Sequence, residues 1–324
     1  MSEPVLLTRS LDPEVEAWLG RRVDLTVYEE DRPIPRERLL QEVRGKVGLL
    51  PLLTDRIDAE VLDVAGPQLR VVANYAVGHD NVDVEECTRR GIVVTNTPDV
   101  LTAATADLAW SLILASSRRV LEGDRWIRAG MPWAWAPGFM LGREITGKTL
   151  GVVGFGRIGQ AVAARARAFE MPVVYSSRTR RHDAERALTA QHRDLEGLLG
   201  QADVVSVNCA LTQETRHLLG AEEFKRMKDT AVLVNTARGP IVDEAALADA
   251  LGAGEIFGAG LDVYEEEPEV HPRLLELENV VLAPHLGSAT VETRRAMGML
   301  AAENLVAVLE RGVARTPVND VEPR

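Results

Sequence analysis

Only two cysteines, Cys87 and Cys209, occur in 324 residues. They lie far apart and in no metal-ligand spacing, which excludes a disulfide framework and a cysteine metal centre and fits a reducing cytoplasm. Basic residues are in the minority: 37 Lys and Arg against 49 Asp and Glu give a net charge of −12. A general nucleic-acid or anionic-membrane binder needs a basic face, so neither partner is expected. A local arginine can still bind an anion. The opening Met1-Ser2-Glu3-Pro4 has no basic n-region, so no secretory leader is expected and the chain reads as cytoplasmic. Long apolar runs are absent as well. The most apolar long stretch, Val100 to Ser117, contains Asp107 and many small residues, which reads as a buried helix and not a membrane span.

What is present is an ordinary globular composition, 46% hydrophobic and 27% charged, in a chain long enough for two domains. Strand-like runs alternate with helix-like ones. Strands are expected at Val5-Leu6-Leu7, Val23 to Tyr28, Val47 to Leu50, Leu69 to Ala73 and Ile92 to Thr95, with helices starting near Asp12, Arg36, Asp58 and Val82. A long helix then runs to about Val120, followed by a loop rich in Trp, Pro and Gly from Trp126 to Gly142. A second series has strands at Leu150 to Gly154, Val173 to Ser176, Val204 to Cys209, Ala231 to Thr236, Gly258 to Val263 and Val280 to Ala283, and a final helix from about Val291 to Arg311. Such alternation predicts parallel sheets with helices on both faces. The last helix is too long and apolar to stand alone, so it should pack back on the first domain. Ligands are then expected at the carboxyl ends of the strands, in the cleft.

The run Gly154-Phe155-Gly156-Arg157-Ile158-Gly159 supplies G-x-G-x-x-G between an apolar strand and a helix-compatible stretch, with a second strand after it. That is the setting in which this motif binds a dinucleotide: a tight turn, close backbone approach to the pyrophosphate, and free N–H groups at the helix start. The ribose-reading position, about 20 residues on, falls in Tyr175-Ser176-Ser177-Arg178-Thr179-Arg180. It holds no carboxylate for a 2′-hydroxyl, but two arginines and several hydroxyls that suit a 2′-phosphate. NADPH is therefore expected over NADH, the alternative being surface arginines and NADH held by other contacts.

Each of three further segments follows a strand: Asn235-Thr236-Ala237-Arg238-Gly239-Pro240, Leu261 to Pro268, and Ala283-Pro284-His285-Leu286-Gly287-Ser288. They bring an Arg, a Glu and a His to one sheet edge. Arg is a planar fork for a carboxylate. His can deliver a proton to a carbonyl oxygen as hydride reaches its carbon, and a neighbouring carboxylate favours the imidazolium and orients the ring. That set fits hydride transfer to a 2-oxo acid. Taken singly, Arg238 is a surface charge after a strand, Glu267 part of a solvated acidic run, and His285 a core histidine; their joint placement argues otherwise.

On these segments the chain resembles the D-isomer-specific 2-hydroxyacid dehydrogenases over nearly its whole length. The resemblance implies two doubly wound parallel-sheet domains: a flavodoxin-like substrate domain, residues 1–98 plus 287–324, and an inserted Rossmann NAD(P)-binding domain, 99–286. It places the family's Arg, Glu and His on Arg238, Glu267 and His285. Cofactor contacts are implied at Gly154, Phe155, Gly156, Arg157, Ile158, Gly159, Ser177, Arg178, Thr179, Cys209, Thr215, Thr236, Ala237 and Gly287, with Asp262 near the nicotinamide carboxamide. Asn74-Tyr75-Ala76-Val77-Gly78-His79-Asp80-Asn81-Val82-Asp83 is similar to the loop whose N–H groups, here of Val77 and Gly78, take the substrate carboxylate. His79 stands where relatives commonly carry Tyr and is read as a structural substitution. No metal is implied.

Within the family the chain is most similar to the subgroup that reduces glyoxylate and hydroxypyruvate, by the runs at Gly154 to Ala161, Ser177 to Arg180 and Ala283 to Thr290. The loop Leu49-Leu50-Pro51-Leu52-Leu53-Thr54-Asp55 offers no cation before Arg56. Its apolar rim, with Leu53, suits a small acid and argues against a phosphorylated one. Phosphoglycerate dehydrogenase is thereby the second choice within enzymes, weakened further because no regulatory domain follows. A corepressor-like nucleotide-sensing scaffold is the alternative from another class, and no basic or disordered recruitment segment supports it. By resemblance, the helix after Asp99 and the loop with Trp126, Trp133, Trp135 and Phe139 form a homodimer interface; the alternative is an intramolecular core.

Overall fold

The structure is a computed structural model describing residues 3–321. Met1, Ser2 and residues 322–324 lie outside the described residues, and with them part of the opening segment read above as leaderless. The chain forms two compact units: one runs to Leu101 and resumes at Thr290, and the other is Thr102–Ala289.

The first unit holds a five-stranded sheet of β1 (Pro4–Leu7), β2 (Asp24–Val27), β3 (Gly48–Leu50), β4 (Val71–Ala73) and β5 (Val93–Thr95). All pairings are parallel, in the order β2-β1-β3-β4-β5, the flavodoxin-like arrangement. The inner strands are short, apolar and buried on both faces, as parallel strands under helices must be. Asp12, Asp58 and Asp83 begin three of the helices, each accepting a backbone N–H of the first turn. The helix Val291–Arg311 closes one face of this sheet through Ala301, Ala302 and Leu305, beside Val5, Leu50 and Val71. Its apolar residues are thereby buried against strands from the start of the chain.

The second unit holds seven parallel strands: β6 (Leu150–Val153), β7 (Val173–Ser176), β8 (Ala190–His192), β9 (Val204–Val207), β10 (Val232–Asn235), β11 (Gly258–Leu261) and β12 (Val280–Leu282). Their order is β12-β11-β10-β9-β6-β7-β8. The sequence direction reverses between β6 and β9, which is the switch point where a doubly wound sheet binds its ligand.

Two features differ from the sequence reading. The helix expected to reach Val120 stops at Ser117, and a separate helix spans Val120–Arg128. Arg119 between them is left-handed, at φ 54°, and the Ser117 carbonyl accepts from Arg143 N–H at 2.7 Å instead of continuing the ladder. Trp126 therefore sits on a helix, not in the loop. The edge strand β8 was not expected: it is three residues with one buried position, too short and polar to register as an apolar run.

Candidate active site

The fingerprint turn follows β6 directly. A Cβ on Gly154 would lie 2.4 Å from the Cys209 nitrogen, and one on Gly159 would lie 2.1 Å from the Gly154 carbonyl oxygen. Both glycines are thus demanded by close backbone packing. Gly156 is different: nothing lies within 4 Å of a Cβ there, and it precedes the helix Arg157–Ala166 with no side-chain cap. Open space beside uncapped N–H groups is what a pyrophosphate requires. Phe155 enters only through its backbone, because its ring is buried and stacks on Tyr175 at 4.0 Å.

Past β7 the two arginines differ in their surroundings. Arg180 is bound to Glu185, at 2.7 and 3.0 Å, and that pair with the Tyr175 hydroxyl holds the Glu185 carboxyl down to about 2. Arg180 is thus already paired with a carboxylate. Arg178 is exposed, makes no hydrogen bond or ion pair among the described residues, and meets only the field of Glu214. Ser177 Oγ donates to the Thr179 carbonyl at 2.8 Å and shapes the turn between them.

Other expected cofactor residues lie on the same edge. Thr215 Oγ1 donates to the Ala210 carbonyl and accepts from Thr212 N–H, both at 2.7 Å, so it folds the loop after β9. Burial pushes the Cys209 thiol up to about 11, so it stays a thiol near neutrality. Asn208 Oδ1 and Thr236 Oγ1, at the ends of β9 and β10, are buried without a partner among the described residues. Such orphaned atoms at the carboxyl ends of the strands fit a bound nicotinamide nucleotide that supplies the missing hydrogen bonds.

Arg238 is half-buried at the turn after β10. Asn235, which motif reading passed over, folds that turn: its side chain accepts from Ala237 N–H at 3.0 Å and donates to the Arg238 carbonyl at 2.9 Å. Arg238 Nη1 reaches the Ala237 carbonyl at 2.8 Å.

His285 Nδ1 lies 2.8 Å from Glu267 Oε2, and Glu267 Oε1 accepts from Tyr264 N–H at 3.2 Å. Both carboxylate oxygens are therefore occupied, and with Nδ1 bonded, Nε2 is the ring nitrogen left for a substrate. His285 is left-handed, at φ 53°, a conformation that costs a non-glycine residue roughly 1–3 kcal/mol. Asp262 enforces it. Its carbonyl accepts from His285 N–H at 2.9 Å, and its carboxylate accepts from Leu286 N–H at 2.6 Å and Gly287 N–H at 2.8 Å. Burial pushes the Asp262 carboxyl up to about 6, against the pull of those N–H groups and of His285. Expected near the carboxamide, Asp262 turns both oxygens to the loop that carries the histidine. The buried Tyr264 hydroxyl, donating to the Ala283 carbonyl at 2.9 Å, ties the glutamate and histidine segments together.

In the first unit, the loop after β4 is ordered by asparagines that the sequence reading did not single out. The Ala76 carbonyl accepts from Thr97 N–H at 2.9 Å and the Val77 carbonyl from Asn96 Nδ2 at 2.8 Å. In a trans peptide the N–H points opposite the carbonyl, so the N–H groups of Val77 and Gly78 face away from this scaffold. Neither donates to a protein acceptor among the described residues. Asn74 and Asn81 exchange hydrogen bonds at 3.1 Å, and Asn81 also holds the Leu52 and Asp55 carbonyls at 3.1 Å. Leu53 is half-buried beside them, and His79 is exposed. Arg56 is exposed and pairs with Asp58 at 3.3 Å.

No group of His, Cys, Asp and Glu among the described residues could hold a metal ion, and no helix there is long and apolar enough to cross a membrane.

Residues 110–287 match the family model for the NAD binding domain of D-isomer specific 2-hydroxyacid dehydrogenases. A glyoxylate reductase of Thermococcus kodakarensis is 52% identical over 324 residues, covering 98% of this chain and 97% of that protein. A solved structure from Thermus thermophilus is 48% identical, with a TM-score of 0.91 over 98% of this chain and 100% of that one. The NADPH-dependent glyoxylate/hydroxypyruvate reductase of Sinorhizobium meliloti, solved with NADP and malonate, is 36% identical with a TM-score of 0.85, covering 98% of this chain and 97% of that one.

Proposed function

The chain belongs to the D-isomer-specific 2-hydroxyacid dehydrogenases, and from that premise we propose that it reduces glyoxylate to glycolate and hydroxypyruvate to D-glycerate with NADPH. It is an NAD(P)-dependent oxidoreductase. The observation that carries the reading is the His285–Glu267 contact of 2.8 Å at the sheet edge that also bears Arg238. The names of the relatives from Thermococcus and Sinorhizobium support the substrates.

The nicotinamide supplies the hydride when bound. Gly154, Gly156 and the start of the helix Arg157–Ala166 take its pyrophosphate, with Thr215, Thr236, Ala237 and Gly287 further along the same edge. Arg238 binds and orients the substrate carboxylate. His285, with Nδ1–H donated to Glu267, holds the proton on Nε2 and delivers it to the carbonyl oxygen. Glu267 fixes the orientation of the ring. A nucleotide-sensing scaffold has no need of this paired acid and carboxylate.

The test is a steady-state panel of glyoxylate, hydroxypyruvate, pyruvate and 3-phosphohydroxypyruvate with each nicotinamide. Arg56 is engaged with Asp58, and an unpaired phosphate buried beside Leu53 would cost several kcal/mol, about 2–7 on the scale of polar burial. Glyoxylate and hydroxypyruvate are expected at least about tenfold above the phosphorylated compound in kcat/KM, a difference of 1.4 kcal/mol. Equal efficiency would restore phosphoglycerate dehydrogenase to first place.

Arg178, uncommitted to any carboxylate at bonding distance, supports the NADPH preference. Arg178→Asp is expected to reverse it: a lost charge-assisted contact is worth about 1.5–3 kcal/mol, or roughly ten- to a hundredfold in kcat/KM for NADPH. A cofactor ratio the same as wild type would remove Arg178 from the phosphate site.

We extend the proposal to a homodimer. Trp135 is 84% exposed, Ile127 63%, Trp133 62% and Leu141 62%, while Trp126 and Phe139 meet edge to face at 6.0 Å within the chain. Exposed apolar side chains in this number suit an interface. Sedimentation at micromolar concentration should give a dimer; a monomer would refute it.

A further inference from the structure

Glu265, just before the Glu266-Glu267 pair, makes a reciprocal exchange with Glu244. Glu265 N–H donates to Glu244 Oε1 at 2.5 Å, and Glu244 N–H donates to Glu265 Oε1 at 2.9 Å. The second Glu244 oxygen accepts from His271 N–H at 3.3 Å. Glu244 is only 6% exposed, and burial pushes its carboxyl upward, so its use there is as an acceptor for two backbone N–H groups.

The remaining Glu265 oxygen, Oε2, meets His217 Nε2 at 2.8 Å, with Arg216 Nη2 at 3.8 Å. His217 Nδ1 lies 3.9 Å from Asp243 Oδ2, and Asp243 begins the helix that Glu244 enters. The backbone N–H of His217 donates to the Pro240 carbonyl at 2.8 Å. One residue thus touches, through its backbone, the turn that carries Arg238 and, through its ring, the turn that carries Glu267. It does so from a left-handed conformation, at φ 50°. Between the two turns, Gly239 packs directly on the Tyr264–Glu265 peptide. None of these groups touches the His285–Glu267 pair itself.

We propose that Glu265, gripped by Glu244 and His217, is a positioning residue: it keeps the Glu267 carboxylate against His285 and fixes that turn relative to Arg238. The network deepens the proposed function and rests on its assignment of His285 as the acid. When the grip is lost, the turn relaxes, Glu267 no longer holds the ring, and the imidazolium loses its partner.

Glu265→Ala and His217→Ala are each expected to lower kcat/KM for glyoxylate roughly ten- to a hundredfold, the scale of a misplaced catalytic group. Both should leave the Kd of NADPH unchanged. The double variant should be no worse than the worse single, as for residues of one network. Glu265→Gln keeps an acceptor for Glu244 N–H, and His217→Gln keeps a donor; both should recover most of the activity. A downfield Nδ1–H proton resonance, identified by its loss in His285→Ala, reads the His285–Glu267 bond with no substrate present. It should vanish in Glu265→Ala and return in Glu265→Gln, so positioning is tested even if glyoxylate proves not to be the substrate. His217 is 40% exposed, so His217→Ala should fold even where Glu265→Ala does not, and it must show the same loss of the resonance. An intact resonance in these variants, or fully additive losses, overturns the proposal.

Discussion

Replacing His285 by Ala should abolish most ketone reduction while leaving NADPH binding intact. A positioned general acid contributes roughly 10²–10⁴-fold, and the loss should appear in kcat, because the proton is needed only as negative charge develops on the carbonyl oxygen. Glu267 Oε2, 2.8 Å from Nδ1, holds the ring in place, and Glu267→Gln keeps an acceptor there while removing the carboxylate. The Gln variant should therefore lose less kcat than His285→Ala. NADPH binding by both variants, measured by fluorescence titration, should match wild type. Near-native kcat in His285→Ala would rule the histidine out as the acid.

Much of this was legible because parallel strands buried on both faces have to be short apolar runs. Val5-Leu6-Leu7, Val173 to Ser176 and the residues of β9 to β11 announced themselves that way. The glycine turn was legible for a related reason: where backbones approach within a Cβ's reach, only one residue type fits, and it leaves a spaced signature. What was hidden depended on partners distant in sequence. The helix break at Arg119 is set by the Ser117 carbonyl turning to Arg143, and nothing in the apolar run from Val100 foretells it. The commitment of Arg180 to Glu185 follows from the helix His182–Leu188 bringing that carboxylate back beneath it. The turn of Asp262 toward Leu286 and Gly287 needs two adjacent strands in register, Leu261 opposite Leu282. Motif spacing names the residues that carry chemistry. It is silent on Asn235, Asn74 and Asn81, which hold them, because a hydrogen bond to a carbonyl imposes no spacing that a reader of one sequence can see.

Gly239→Ala should be the most damaging single methyl group in the second unit. A Cβ at Gly239 would lie 1.8 Å from the Tyr264 carbonyl carbon and 1.9 Å from its oxygen, with the Glu265 nitrogen at 2.4 Å. Ordinary contact begins near 3.4 Å, and all three atoms are backbone, so no rotamer change relieves the clash. The two turns must move apart. Arg238 lies immediately before the glycine, and Tyr264 N–H holds Glu267, so the separation falls between the arginine proposed for the substrate carboxylate and the pair proposed to deliver the proton. Overpacking costs about 1–3 kcal/mol, occasionally more, which for a domain of this size lowers Tm by roughly 2–12 °C. A displacement of about 1 Å at a reacting group costs on the order of 10²-fold. The expected variant therefore folds with reduced Tm, binds NADPH through its untouched glycine turn, and loses at least about a hundredfold in kcat/KM for glyoxylate. Its KM should rise as Arg238 swings from the carboxylate, and its kcat should fall as Glu267 leaves His285. A Gly239→Ala enzyme with wild-type kcat/KM would mean that the two turns can part without disturbing the chemistry, and that Arg238 and Glu267 do not act as one preorganised unit.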